Sequence, residues 1–391
     1  MSLHSDIVVA GAGIAGLTAA LALAHHKMPV TIVEAFARPT EIGAGIQVPP
    51  NACHVLAQLG VLTDVKTRAT KPSAIRLGDA PSGSILLSMP VNEKHTPYTP
   101  FLTIHRAALH QTLYRAALAH PDIDIITGHR IARVQTSPKA VTLTAETSDG
   151  TAQLSARVLI GADGVWSRCR RAIKGAAEAK PTGRIALRAV VPAHANAAED
   201  PTITAWMAER AHLVCYPVRN KDTQNIVAIA DGTAAKHIWD SQADHKTLAL
   251  LADQFTPCGY RKVIKNSQWT VWPLAQVTPD APWHDDGHIV LIGDAAHATE
   301  PFAAQGAAMA IEDAFVLARC MAEHAADTRA AFNTYRSQRH ARVAKMAKRT
   351  AFNRRVYHMG GLSRLARNTA MTLRDPTSFL ADLDWLYTYK A

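Results

Sequence analysis

Apolar runs and alternating segments divide this chain into readable pieces. Ile7-Val8-Val9-Ala10 reads as a short buried strand, Leu17 to His26 as an apolar helix, and Val30-Thr31-Ile32-Val33 as a second strand ending on Glu34. A helix from Ala52 to Leu59 is punctuated by Pro50-Asn51 before it and Gly60 after it. Residues 75–89 alternate around Asp79-Ala80-Pro81-Ser82-Gly83 and predict a hairpin. Phe101 to Arg106 leads into a helix to about Ala119, and Ile123–Thr127, Ile131–Gln135, Ala140–Thr147 and Thr151–Leu154 predict a meander turning at Asp149-Gly150.

Two further apolar runs, Val158-Leu159-Ile160-Gly161 and Ile289-Val290-Leu291-Ile292, end on Asp163-Gly164 and on Gly293-Asp294. Runs of this kind are strands covered on both faces, which deliver polar ends to a ligand at the edge of a parallel sheet. Between them, Ile185–Val191, Ile203–Glu209, His212–Arg219, Asn225–Ala230 and Gln268–Leu274 predict an antiparallel sheet inserted into the first unit. The fold class is therefore α/β: a three-layer, Rossmann-like domain (1–73, 99–178 and 279–330), an inserted, mostly antiparallel sheet domain (74–98 and 179–278), and a helical segment (331–391). In that last segment Arg336, Arg339, Arg342, Lys345 and Lys348 recur every three residues, a spacing that spirals round a helix and predicts a solvated surface.

Composition narrows the partners. With 391 residues, 48% of them apolar, the chain can bury a sizeable core, and its net charge of +10 suits an anionic ligand or solubility. No basic run is interleaved with aromatic residues, so nucleic acid is not expected. Ile7 to Ala24 is eighteen residues without a charge, but its glycine spacing fits a strand, turn and helix better than a membrane span, and no stable membrane insertion is expected. Met1 to Asp6 lacks the basic start of a secretory signal, and Cys53, Cys169, Cys215, Cys258 and Cys320 form no C-x-x-C, so a cytoplasmic, reducing location without structural metal is expected.

The chemistry begins at Gly11-Ala12-Gly13-Ile14-Ala15-Gly16. Gly11 permits a tight turn, Gly13 lets backbone approach a pyrophosphate, Gly16 permits close packing of helix on strand, and the N-terminus of the helix that follows offers N–H groups to phosphate. Glu34 is placed to accept hydrogen bonds from a ribose. Two more blocks follow in the chain: Gly161-Ala162-Asp163-Gly164-Val165-Trp166-Ser167-Arg168-Cys169-Arg170, and Gly293-Asp294-Ala295-Ala296-His297 running through Pro301, Gln305, Gly306 and Glu312-Asp313-Ala314.

With these three blocks in this order, nearly the whole chain resembles the single-component flavin-dependent aromatic hydroxylases, the family of salicylate, hydroxybenzoate and hydroxynicotinate monooxygenases. The resemblance implies non-covalent FAD, with NADH or NADPH as transient co-substrate, O2, and a flavin hydroperoxide that hydroxylates a small phenolic or pyridine carboxylate; a homodimer is left open. It implies that Gly11, Gly13, Ala15, Gly16 and Glu34 hold the ADP half, that Arg106 contacts the cofactor across the pyrophosphate, and that Asp294 binds the ribityl chain. Asp163 and Gly164 match a motif that serves FAD and nicotinamide, supported by Ser167 and Arg170. Pro301 to Gly306, with Gln305 and Ala307, would pass beside the isoalloxazine, and Gln47 matches a position near flavin or substrate.

For the substrate side, alternation along the strand from His212 puts His212, Val214 and Tyr216 on one face and Leu213 and Cys215 on the other. Tyr216 or His212 could hydrogen-bond a phenol and help remove its proton; alternatively Tyr216 only packs. Several relatives carry histidine where Cys215 stands, a departure from their catalytic base. Arg188 is a candidate carboxylate anchor or an exposed or cofactor-facing arginine, and His297 reads as a structural hydrogen-bonding residue. His25-His26 and His284, Asp285, Asp286 and His288 lack helical ligand spacing, so no metal is expected. The other readings are a related FAD oxidoreductase, either an epoxidase or a halogenase, whose Trp-x-Trp-x-Ile-Pro segment Trp269-Thr270-Val271-Trp272-Pro273 does not match, and a non-enzymatic dinucleotide-fold binding protein.

Overall fold

The computed structural model describes residues 2–38, 44–91, 100–193, 201–218, 223–234, 241–285 and 287–391. Met1, Arg219 and Asp286, which figure in the sequence reading, lie outside the described residues. In chain order the elements are β1 (Ser2–Ala10), α1 (Ile14–His25), β2 (Val30–Val33), β3 (Gly45–Val48), α2 (Pro50–Gln58), α3 (Leu62–Arg68), β4 (Ala74–Asp79), β5 (Ser84–Pro90), β6 (Leu102–His105), α4 (Arg106–Leu118), β7 (Ile123–Ile126), β8 (Arg130–Thr136), β9 (Val141–Thr147), β10 (Gly150–Gly161) and α5 (Arg168–Arg171). They continue with β11 (Lys180–Pro192), β12 (Thr202–Ala208), β13 (Ala211–Val218), β14 (Thr223–Asp231), β15 (Ser241–Gln242), α6 (His245–Gln254), α7 (Arg261–Asn266), β16 (Thr270–Gln276), β17 (Ile289–Leu291), α8 (Asp294–His297), α9 (Gly306–Glu323), α10 (Thr328–Tyr357), α11 (Gly361–Thr372), α12 (Pro376–Ala381) and α13 (Asp384–Tyr387).

One sheet runs β7-β2-β1-β10-β9-β8, with β17 also on β10. β7, β2, β1, β10 and β17 are parallel, and β10-β9-β8 are antiparallel. This corrects the expected meander in two ways. Ile123–Ile126 leaves it to pair with β2 at the opposite edge, and Thr151–Leu154 and Val158–Gly161 are one continuous strand. The cause is that β10 has two different neighbours along its length: its first half pairs with β9, while its last residues lie between β1 and β17. The buried runs of β1, β10 and β17 and the apolar helices α1 and α9 make the main core, which Phe332 and Tyr335 of α10 complete.

The second sheet runs β15-β16-β11-β14-β13-β12-β4-β5 and is antiparallel except where β12 meets β4 in parallel. Its two faces pack separately. Leu213 and Cys215 face a cluster closed by Phe255, Ile264 and Trp269 from and beside α6 and α7, helices that the strand-dominated sequence reading did not include. Tyr216, Val214 and Ile203 face the other way, toward Phe101, Met371 and Leu380. A small ribbon of β3 and β6 links the sheets: Thr103 Oγ1 donates to Pro217 O at 2.6 Å, and Gly45 N donates to Asn225 Oδ1 at 2.6 Å.

α10 corrects another expectation. Its basic residues are not uniformly solvated, since Arg339 is fully buried and Arg342 nearly so, Arg339 turned onto Glu312 and Asp313 of α9 and Arg342 onto Glu312. A three-residue spacing does carry some positions inward, and those positions are occupied by arginine because two carboxylates wait there. Among the described residues no helix is long and apolar enough to cross a membrane, and no group of three or more His, Cys, Asp or Glu side chains could hold a metal ion.

Candidate active site

Three segments emerge together at the carboxyl edge of the parallel strands. Gly11 N donates to Val33 O at 2.8 Å, Ala162 N to Ala10 O at 3.0 Å, and Ile292 N to Gly161 O at 3.0 Å, which locks the ends of β2, β1, β10 and β17 to one level. Gly11 turns with φ +100°, and a side chain there would meet Ala162 O at 2.9 Å. Gly293 turns with φ +57°; a methyl on it would lie 2.8 Å from Ala310 Cβ and 3.5 Å from Ala15 Cβ. The glycine turn, the Asp163 loop, the Gly293-Asp294 turn and the first turns of α1 and α9 therefore meet at one place.

Of the residues expected to hold the dinucleotide, Glu34 is buried and spans the glycine turn: Oε2 accepts from Ala12 N at 2.7 Å and Oε1 from Phe36 N at 2.9 Å. Each oxygen keeps a second lone pair for a ribose hydroxyl. His110 on α4, which sequence reading missed, pairs through Nε2 with Ala12 O at 2.7 Å and so ties α4 to the turn. Desolvation by the protein packed around it holds the Asp294 carboxyl above its ordinary range, with a smaller push from Asp313, against the pull of His297 and then of Arg106, which opens α4. The Asp294 side chain nevertheless keeps an exposed side.

Asp163 is turned into its own loop. Its carboxylate accepts from Ser167 Oγ at 2.5 Å, Arg168 N at 2.7 Å and Cys169 N at 3.1 Å, so it shapes the start of α5. The buried Arg170 then joins this loop to the third segment, donating to Val165 O at 2.6 Å and to Ala295 O at 2.9 Å.

Beneath Pro301, Gln305, Gly306 and Ala307 lies a network that sequence reading did not foresee. Asp313 Oδ2 accepts from Gly293 N at 3.0 Å and pairs with His297 Nε2 at 2.6 Å, while Oδ1 accepts from Arg339 Nε at 2.7 Å. The charges of His297 and Arg339 outweigh burial and hold Asp313 down at about 2. Glu312 accepts from Arg339, Arg342 and Asn51, and Asn51 Nδ2 also reaches Gln305 Oε1 at 3.3 Å. His297 is thus a structural hydrogen-bonding residue. The usable sequence signal was the adjacent Glu312-Asp313 pair inside an apolar helix, which demands buried counter-charges.

Across from this edge stands one face of the second sheet. Register places Ala186, Ile229 and His212 in one row, Arg188, Val227 and Val214 in the next, and Asn225 with Tyr216 beyond. Phe302, next to Pro301, packs on the first row: it clusters with Ala186 and Ile229, and its ring lies 4.9 Å from that of His212. His212 Nδ1 is 3.0 Å from Nε2 of His358, another residue missed, and burial pushes both imidazoles down, His358 to about 4. Arg188 lies over the Trp272 ring at 5.0 Å. Tyr216 is buried with its ring edge under Gly45, and burial raises its hydroxyl above the ordinary phenol range although Arg188 pulls it down. Gln47 follows in β3, half-buried and opposite Thr103. Cys215 faces the other layer, toward Tyr260.

The residues present fit FAD. The turn Gly11–Gly16 leaves open space at Gly13, and Gly306 at the start of α9 is likewise open, so free N–H groups of two helix starts face the same edge as Glu34, Arg106 and Asp294. Comparison with known proteins agrees. The FAD binding domain family model matches residues 4–350. A 3-hydroxybenzoate 6-hydroxylase of Klebsiella oxytoca is 31% identical over 388 residues, covering 98% of this chain and 96% of its own. A 6-hydroxynicotinate 3-monooxygenase of Bordetella bronchiseptica is 30% identical over 350 residues, covering 87% and 89%. Among solved structures, a salicylate hydroxylase substrate complex superposes with TM-score 0.79 at 22% identity over 100% of this chain and 96% of that one. Klebsiella pneumoniae HpxO with FAD and uric acid gives 0.80 at 23% identity over 97% and 95%. With its three cofactor segments meeting at one sheet edge and whole-length relatives on both measures, this chain belongs to the FAD-dependent aromatic monooxygenases.

Proposed function

We propose that this enzyme hydroxylates a small phenolic or pyridine carboxylate, consuming O2 and NADH or NADPH and releasing water and the oxidised nicotinamide. The observation that carries the reading is the opposition of the cofactor edge to a sheet face bearing Arg188, Tyr216 and His212, joined through Phe302. Relatives named for hydroxybenzoate and hydroxynicotinate support the substrate class. Bound FAD would supply the redox chemistry, taking a hydride from the nicotinamide and activating O2 to an electrophilic oxygen.

The chain's own residues would then bind, orient and polarise. Arg188, held over Trp272, would pair with a carboxylate or a phenolate oxygen. A tyrosine hydroxyl is protonated at neutral pH, and burial moves Tyr216 further from ionising, so it would act as a hydrogen-bond partner to the phenol rather than as its base. Burial likewise keeps His212 neutral and weakly basic, which favours polarisation of the substrate oxygen over full proton removal. Apolar Val214, Val227 and Phe302 would exclude water and limit loss of the activated oxygen as hydrogen peroxide.

The direct test is a panel of hydroxybenzoates and hydroxypyridine carboxylates with FAD-loaded protein, following NADH and NADPH oxidation, O2 uptake and product together. Substrate-stimulated oxidation with a hydroxylated ring product is expected. If no member both stimulates oxidation and gains oxygen, the substrate class is wrong.

A further inference from the structure

We propose that residues 385–389 set the position of the Pro301–Gly306 loop through Arg342, which makes Arg342 a positioning residue for the oxygen-transfer side of the cofactor site. The inference rests on the reading above only in taking that loop as the segment beside the flavin ring. Arg342 has two sets of contacts. On one side Nε and one terminal nitrogen donate to Glu312 Oε2 and Oε1, each at 2.7 Å. On the other, its terminal nitrogens donate to Trp385 O at 2.7 Å and Leu386 O at 2.9 Å, and its guanidinium carbon lies 3.9 Å from the centre of the Tyr389 ring. Lys345 adds a contact at 4.1 Å over the Trp385 ring.

Glu312 passes this constraint on. Its Oε1 accepts from Asn51 Nδ2 at 2.6 Å, and the same Asn51 amide reaches Gln305 Oε1 at 3.3 Å, so the loop residue is held by an amide whose orientation depends on Glu312. Asn51 and Glu312 are fully buried and Gln305 nearly so, leaving water little access to replace a lost contact. The neighbouring Asp313 begins a second arm: it holds Gly293 N and His297 at the other cofactor turn and pairs with Arg339, which also donates to Glu312, whereas Arg342 pairs with Glu312 and not with Asp313. Arg339 touches both carboxylates, so Arg342 is the cation specific to the arm that reaches the loop. Disturbing Asp313 loosens the ribityl side and affinity for FAD; disturbing Arg342 displaces the loop at the ring and should spoil coupling instead.

The experiment uses the full chain, Arg342→Met, Arg342→Lys, Asp313→Asn and a chain ending at Leu383. For each it measures the FAD dissociation constant by flavin fluorescence, the visible circular dichroism of bound FAD, thermal unfolding, and the fraction of NADH electrons appearing as hydrogen peroxide. Arg342→Met and the shortened chain are expected to alter the flavin dichroism and raise the peroxide fraction severalfold, with the dissociation constant within about threefold of the parent. Arg342→Lys, which retains a charge for Glu312 but not the two-carbonyl fork, should fall between. Asp313→Asn should weaken FAD by about tenfold or more. The proposal is overturned if Arg342→Met and Arg342→Lys both keep the parent's dichroism and coupling. It is equally overturned if their FAD affinity falls as far as that of Asp313→Asn, because the arms would then not be separate. Should a shortened chain fail to fold, the two Arg342 variants still decide. If the parent shows no aromatic-stimulated oxidation of either NADH or NADPH, the substrate reading fails while affinity and dichroism still test the Arg342 contact.

Discussion

Gly13 and Gly16 belong to the same short motif, yet replacing each with alanine should act on different quantities. A methyl at Gly16 would sit 1.9 Å from Gly11 O and 3.1 Å from Val9 Cγ1. A carbon normally keeps about 3.3 Å from a carbonyl oxygen, so α1 must move by more than about 1 Å against β1. Overpacking of this kind costs about 1–3 kcal/mol, and a backbone atom that cannot rotate away puts this site at or beyond the upper end. At Gly13 nothing lies within 4 Å of an added methyl, and φ is −73°, which alanine adopts without strain. The loss of a good helix-capping residue, about 0.5–1 kcal/mol, is offset by about 0.4–1 kcal/mol of reduced unfolded-state entropy, so the apoprotein should be nearly unchanged. The methyl nevertheless fills the space through which a pyrophosphate approaches the helix start. Gly13→Ala should therefore weaken FAD by about tenfold or more, equivalent to about 1.4 kcal/mol. Urea unfolding of the apoproteins and FAD titration separate the effects. A Gly13→Ala protein that binds FAD normally, or that loses as much apo stability as Gly16→Ala, would refute the assignment of the open side of the turn to the phosphates.

Tyr216→Phe should lower hydroxylation and leave FAD bound; unchanged turnover and coupling would remove its hydroxyl from the mechanism. Asp79 is fully buried and accepts from Arg364 at 2.7 and 2.6 Å and from Arg367 at 2.9 Å, so Asp79→Ala should cost about 3–5 kcal/mol in urea unfolding by stranding buried charge between β4 and α11. A loss below about 1 kcal/mol would contradict it. His358 should make the protein acid-labile above the carboxylate range. Its folded pKa of about 4 lies below the ordinary 6.5, so between these values the unfolded chain takes up the proton first and stability falls as pH drops, on the order of 3 kcal/mol in all. Unfolding midpoints from pH 7 to 4.5 should show this decline and show less of it in His358→Gln; equal slopes in the two proteins would count against it.

The cofactor edge was legible because its constraints are local. A glycine that must turn, an apolar run of four residues and an acid at the next strand end are all written within one βαβ unit; β2 falls where the pattern puts it, while β1 extends back to Ser2 and α1 starts at Ile14, ahead of Leu17. Alternation also sorted β13 correctly, since Tyr216 and Cys215 do face opposite layers. What resisted reading depends on partners far along the chain. β7 could not be assigned to β2 from its own four residues, because parallel pairing is decided by α4 and the crossover, not by a turn. Arg339 and Arg342 carry no local sign that separates them from Arg336 and Lys345. Only the buried carboxylates of α9 distinguish them, and those lie on another helix. An acid pair within an otherwise buried helix face is the stronger clue than the basic run that answers it. Two adjacent carboxylates cannot be buried bare, so the Glu312-Asp313 pair by itself requires cationic partners to reach it from elsewhere, and a long basic helix immediately following is where they would be found.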